Sequence, residues 1–184
     1  MREDHGKSYE AVYRRQHAPG FRWLHESWGT NWRITEMQSA IGRAALRKLP
    51  EWLAIRRRNA AILTGHFEPL GAAALRLTVP PQEIGHAFYK YYAFVRPERL
   101  KSGWSRDRIV AEIEARGVPV YSGSCSEIYL EKAFMPELRP PSRLPVAREL
   151  GETSIMFLVH PTLSEDDMHY VAGTAREVIE QATA

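Results

Sequence analysis

The sequence predicts an α+β fold: a small, mainly antiparallel sheet of three or four strands covered by helices. Two observations carry this. Residues 74–79 and 88–95 read as extended segments, the second enriched in Tyr89, Tyr91, Tyr92 and Phe94 as strands are. Around them lie stretches whose apolar residues recur at helical spacing and whose ends carry capping residues. No internal repeat or low-complexity segment interrupts the pattern.

Taken in order, residues 1–34 carry Tyr9, Tyr13, Phe21, Trp23, His25, Trp28 and Trp32 without sustained periodicity. A long irregular segment of this kind is unusual inside a compact domain, so it reads as an arm that packs on another domain or subunit. Residues 35–184 are expected to form the domain proper. Thr35 to about Lys48 is a first helix with Met37, Ala40, Ile41, Ala44 and Ala45 on one face, a small-residue surface suited to close packing. Pro50 fits the first position of a second helix, where its missing N–H costs nothing. That helix runs to about Phe67, and Pro69 and Gly71 end it.

After the two extended segments, Ser105 caps a helix reaching about Arg116, with Gly117 as its stop. Residues 118–121 form a further short strand. Short helices near 126–134 and 144–150 flank a proline-rich loop at 136–145. Residues 155–159 make the last strand. Ser164, with Asp167 three residues on, opens a final helix with Met168, Val171, Ala172, Ala175, Val178 and Ile179 on its apolar face.

The bulk numbers bound the function classes. With 184 residues, 44% hydrophobic content and five tryptophans, the chain suffices for one real core. No apolar run approaches the roughly 18 residues of a membrane span, and charged residues follow Met1 where a signal peptide would be apolar. A soluble, cytoplasmic protein is expected. The single cysteine, Cys125, excludes an internal disulfide and any multi-cysteine zinc site. A net charge of +3 leans basic, and Arg56, Arg57 and Arg58 form its densest run. Consecutive helical residues point about 100° apart, so these three cannot make one nucleic-acid-binding stripe. They read as a solvated helix face, and no nucleic-acid partner is expected.

No self-sufficient catalytic constellation is visible: HExxH, GxSxG, GxGxxG and a Walker loop are all missing. The seven histidines are scattered without metal-ligand spacing, and no metal site is expected. The most informative stretch is Trp28-Gly29-Thr30-Asn31-Trp32-Arg33-Ile34-Thr35-Glu36-Met37-Gln38-Ser39-Ala40-Ile41-Gly42. Thr35 and Gln38 have capping-box spacing, which would anchor the preceding loop on a rigid helix start. Asn31 and Arg33 would project from that base, an amide and a guanidinium suited to phosphate oxygens.

This G-x-N-x-R-[IM]-T-E-x-Q-x-A-x-G pattern resembles the motif of the DegT/StrS-type nucleotide-sugar aminotransferases, which are fold-type-I pyridoxal-phosphate enzymes. Arg2-Glu3-Asp4-His5-Gly6 resembles the R-x-x-H-G that precedes it. Leu46-Arg47-Lys48-Leu49-Pro50-Glu51-Trp52 and Arg56-Arg57-Arg58-Asn59 are similar to the family's next two helices. Leu144-Pro145-Val146-Ala147 and Val159-His160-Pro161-Thr162-Leu163-Ser164 resemble its later signatures. The likeness runs along nearly the whole chain and covers that family's C-terminal half, so the fold expected is its C-terminal small domain.

The resemblance implies a division of labour. The lysine that holds pyridoxal phosphate belongs to the family's N-terminal domain. None of Lys7, Lys48, Lys90, Lys101 or Lys132 has its context, so no catalytic residue is assigned and the chain alone is expected to be inactive. By match, Asn31 reaches the cofactor phosphate of a neighbouring subunit in a homodimer, and Arg33 lies near the diphosphate of the nucleotide-sugar. His5 lies near the site or packs beside it. Relatives carry an aromatic or histidine and then proline after the strand corresponding to 118–121, whereas here Ser122-Gly123-Ser124-Cys125-Ser126 follows; Tyr121 remains as a substrate-binding candidate. The implied reaction moves an amino group from glutamate to a keto-sugar nucleotide, in the making of surface polysaccharide or lipopolysaccharide. The alternative is a non-catalytic interaction or dimerisation domain on the same fold.

Overall fold

A computed structural model describes residues 8–16, 34–130 and 136–183. The chain divides into two compact units, Met1–Lys48 and Leu49–Ala184. In the first, Glu10–Arg14 forms one turn of π-helix, with the Tyr9 and Tyr13 rings 4.9 Å apart. Helix α1, Glu36–Phe67, starts in this unit and ends in the second. Along its first turns Met37 and Ile41 are exposed, as is Ile34 before them, while Ala44 and Ala45 are half-buried. The small-residue face expected to pack closely is thus largely uncovered by the described residues.

The second unit holds a four-stranded sheet in the order β1-β2-β4-β3, antiparallel at every pair. Its strands are β1 (Leu75–Leu77), β2 (Tyr91–Val95), β3 (Val120–Tyr121) and β4 (Ser154–Phe157). A single turn, α2 (Gly71–Ala74), leads into β1. Helices α3 (Arg106–Ala115), α4 (Pro145–Thr153) and α5 (Glu165–Ala182) complete the unit. The α+β class and the antiparallel sheet stand as the sequence predicts.

Alternation along β2 shows where the core sits. Tyr91, Ala93 and Val95 are buried, whereas Tyr92 and Phe94 on the opposite face are half-buried. Leu63 and Phe67 of α1, Ile109 and Ile113 of α3, and Met168, Ala172, Ala175 and Ile179 of α5 join the buried set. Strand β4 lies between β2 and β3, and all four of its residues are buried. Phe67 packs its ring 5.3 Å from that of Phe157 and 6.2 Å from that of Tyr91.

Capping chemistry is legible at both later helices. Ser105 accepts from the Arg108 N–H, and α3 ends ahead of Gly117, whose φ of +81° suits glycine. Ser164 and Asp167 form a complete capping box on α5.

Two expectations are corrected. The helices placed at 35–48 and from Pro50 are one 32-residue helix with Pro50 inside it. Pro50 lacks the N–H that would reach the Leu46 carbonyl, but both residues are exposed, so water can take that carbonyl. Arg56, Arg57 and Arg58 are also no mere solvated face. Arg56 donates to the Phe88 and Tyr89 carbonyls at 3.3 and 2.8 Å, and Arg57 to that of His86 at 3.1 Å. Arg58 reaches the Leu163 carbonyl at 3.1 Å and Asn59 Oδ1. The fan of directions that rules out a stripe lets one run of arginines tie down separate loops. Of the helix expected near 126–134, the described part is a 3₁₀ turn at Ile128–Leu130.

Candidate functional site

The start of α1 forms as its spacing predicts. Gln38 N–H donates to Thr35 Oγ1 at 3.2 Å, and Thr35 N–H donates to Gln38 Oε1 at 3.0 Å. Two amides that the helix leaves unpaired are thereby satisfied. A recess of about 450 Å³ lies against this first turn, lined by Ile34, Glu36, Ser39, Ala40, Arg43 and Arg47. Asn31, Arg33 and His5 lie outside the described residues.

Tyr121 ends β3, where it pairs with Met156, and its side chain is partly exposed. It leads into the loop at 122–126, which is held on several sides. Ser154 Oγ donates to the Ser122 carbonyl at 2.6 Å, and Tyr92 Oη lies 3.1 Å from Ser124 Oγ. Gly123 has φ +98°, and a Cβ there would stand 2.7 Å from Tyr92 Cε1. Glycine is needed at that position both for conformation and for room. Arg106 donates to the carbonyls of Gly151 and Ser154 at 3.0 and 2.8 Å, holding the last turn of α4 and the first residue of β4.

Beneath the loop lies a charged cluster. Glu127 is buried, receives Arg143 through both carboxylate oxygens, and accepts the Tyr129 hydroxyl at 2.6 Å. Arg143 also meets Glu152 at 3.0 Å, and Tyr129 Oη accepts the Leu144 N–H at 2.9 Å. Glu127, Arg143 and Glu152, with Ser122, Ser124 and Cys125, border a recess of about 450 Å³. The Arg143 hydrogen bonds, and then that of Tyr129, pull the Glu127 carboxyl down to about 2, while Glu127 raises the Arg143 guanidinium. Glu127 is therefore a fixed anion at neutral pH and serves as an anchor, not as a proton acceptor. Arg143 lies 16 residues from Glu127, and no spacing rule links such a pair; sequence reading missed it.

A depressed carboxyl has a definite acid signature. Its stabilising contribution is complete above the ordinary value of 4.5 and is lost as pH falls toward 2. Glu127→Gln should therefore flatten the dependence of melting temperature on pH in that window, as followed by circular dichroism. An unchanged acid slope would show that the pair contributes nothing there.

Lys90 lies over the Tyr89 ring at 5.6 Å, Lys101 donates to the Gln181 carbonyl at 3.1 Å, and Lys48 is exposed. No group of three or more metal-binding side chains occurs among the described residues, and no described helix is long and apolar enough to cross a membrane.

The model of the DegT/DnrJ/EryC1/StrS aminotransferase family matches residues 4–176. The chain belongs to this family. A solved aminotransferase from Psychrobacter cryohalolentis is 50% identical with a TM-score of 0.79, over 98% of this chain and 48% of that one. The dTDP-3-amino-3,4,6-trideoxy-alpha-D-glucose transaminase of Streptomyces venezuelae is 28% identical over 161 residues, 87% of this chain and 40% of that protein. The GDP-perosamine synthase of Caulobacter vibrioides is 26% identical over 157 residues, 82% of this chain and 39% of that protein. The chain thus spans about two fifths of the length of the curated relatives it matches. Within the family match fall both the segment that carries Asn31 and Arg33 and the serine-rich loop after Tyr121.

Proposed function

We propose that this chain supplies the small domain and the phosphate-reading loop of a pyridoxal-phosphate-dependent nucleotide-sugar aminotransferase. The observation that carries the reading is the family match over residues 4–176, which runs through the 28–42 motif. The observed Thr35–Gln38 capping box supports it, because it gives that motif a rigid base. The cofactor carries the amino group between glutamate and a keto-sugar nucleotide. In this reading Asn31 donates its amide N–H to the cofactor phosphate across a homodimer, and Arg33 grips the substrate diphosphate through its guanidinium. Tyr121 faces the nucleotide from the end of β3, beside the serine-rich loop.

The lysine that binds the cofactor comes from the family's N-terminal domain, so these 184 residues alone do not transaminate. The enzyme works in the cytoplasm and feeds amino sugars to surface polysaccharide, including lipopolysaccharide. The test uses a protein that carries this sequence together with that domain. Asn31→Ala should weaken cofactor retention by about tenfold, the cost of one charge-assisted hydrogen bond, read by equilibrium dialysis of pyridoxal phosphate. Retention equal to wild type would overturn the assignment of Asn31.

A further inference from the structure

A recess of about 490 Å³ opens where β1 and β2 meet α4, and its chemistry is that of an anion receptor. Arg76, Phe94 and Arg96 share its sheet-side wall. The register pairs Arg76 with Phe94, and Arg96 lies two residues past Phe94, so all three project from one sheet face. The Arg96 N–H donates to the Ala74 carbonyl at 3.1 Å, which carries the ladder one step beyond β2 and fixes Arg96 beside Arg76.

Neither guanidinium is held by a side-chain hydrogen bond among the described residues, although Arg96 is ion-paired with Glu98. That of Arg76 lies 4.0 Å over the Phe94 ring, an arrangement that engages its flat face and leaves its in-plane donors open. Arg96 approaches Glu98 only at 3.8 Å, beyond hydrogen-bond length. Its Nε is the one buried side-chain nitrogen or oxygen without a hydrogen-bond partner among the described residues. Arg143 and Arg148 line the same recess but are paired with Glu127 and Glu152, so their charge is already balanced.

The opposite wall is the flank of helix α4, from Pro145 to Thr153. Glu98 and Glu149 line the recess as well and oppose any anion. A single-charged ion gains little against them. An ion with several oxygens can take donors from both guanidinium groups at once.

We propose that this recess binds a multivalent oxyanion of the phosphate class, held by Arg76 and Arg96 above Phe94. Phosphate monoesters and diphosphates share that chemistry. The probe is inorganic pyrophosphate, titrated into the whole chain at constant ionic strength while the arginine Nε–H signals are followed by ¹H–¹⁵N NMR. The Arg76 and Arg96 signals should move together and saturate, with a Kd of roughly 0.1–1 mM. Arg76→Gln and Arg96→Gln should each weaken binding by about fivefold or more. Glu98→Gln should tighten it by about twofold to threefold, a gain that a folding defect cannot produce. Shifts that never saturate, equal shifts with sodium chloride, or unchanged affinity in both arginine variants would overturn the proposal.

Discussion

Phe67→Ala should lower the unfolding free energy of the second unit by about 3–5 kcal/mol, the largest single-residue effect expected in the chain. Phe67 is the last residue of α1 and is essentially inaccessible, with its ring against Phe157 of β4 and Tyr91 of β2. The substitution removes apolar burial and leaves a cavity lined by three different elements. Collapse into it is restricted, because β4 is hydrogen-bonded on both sides. Urea unfolding followed by circular dichroism measures the effect. A loss below about 1 kcal/mol would mean that the helix end and the sheet repack freely.

Asn59→Leu should cost about 2–4 kcal/mol, although it replaces a polar residue in a buried place by an apolar one of similar size. Asn59 is fully buried. Its Nδ2 donates to the His160 carbonyl at 3.1 Å, and its Oδ1 accepts from Arg58 Nη2 at 2.9 Å. Leucine leaves the carbonyl without its donor and removes the acceptor that orients Arg58, whose Nη2 also holds the Leu163 carbonyl. The loop at 160–163 should loosen with it. In a double-mutant cycle, Arg58→Ala and Asn59→Leu should be strongly non-additive, since each breaks the same network. Additive losses would separate the two residues.

Much of the fold is legible where chemistry is local. The Ser105 and Ser164 caps, Gly117 and the apolar face of α5 each follow from residues within a few positions of one another. Pro50 misleads because the penalty for an interior proline falls when the freed carbonyl faces water, a fact that only exposure reveals. The arginines at 56–58 and the Glu127–Arg143 pair are long-range, and a one-dimensional pattern holds no sign of which carbonyl or carboxylate a guanidinium will meet. Of the site, the capped helix start was readable from Thr35 and Gln38 alone. The scaffold behind Tyr121 was not, since it is assembled from Tyr92, Ser154 and Arg106 on other elements.

The pairing of β2 with β4 also bears on how the chain folds. Tyr91 lies opposite Phe157 and Phe94 opposite Ser154, partners 66 and 60 residues apart in sequence (157 − 91 and 154 − 94). The central seam of the sheet cannot close until β4 has been synthesised, and α5 supplies the next buried layer only after that. Loop-closure entropy must be met before this seam returns any energy. During translation, β2 therefore lacks its β4 partner while the following sixty residues emerge, and in that interval its open edge is available for misassociation.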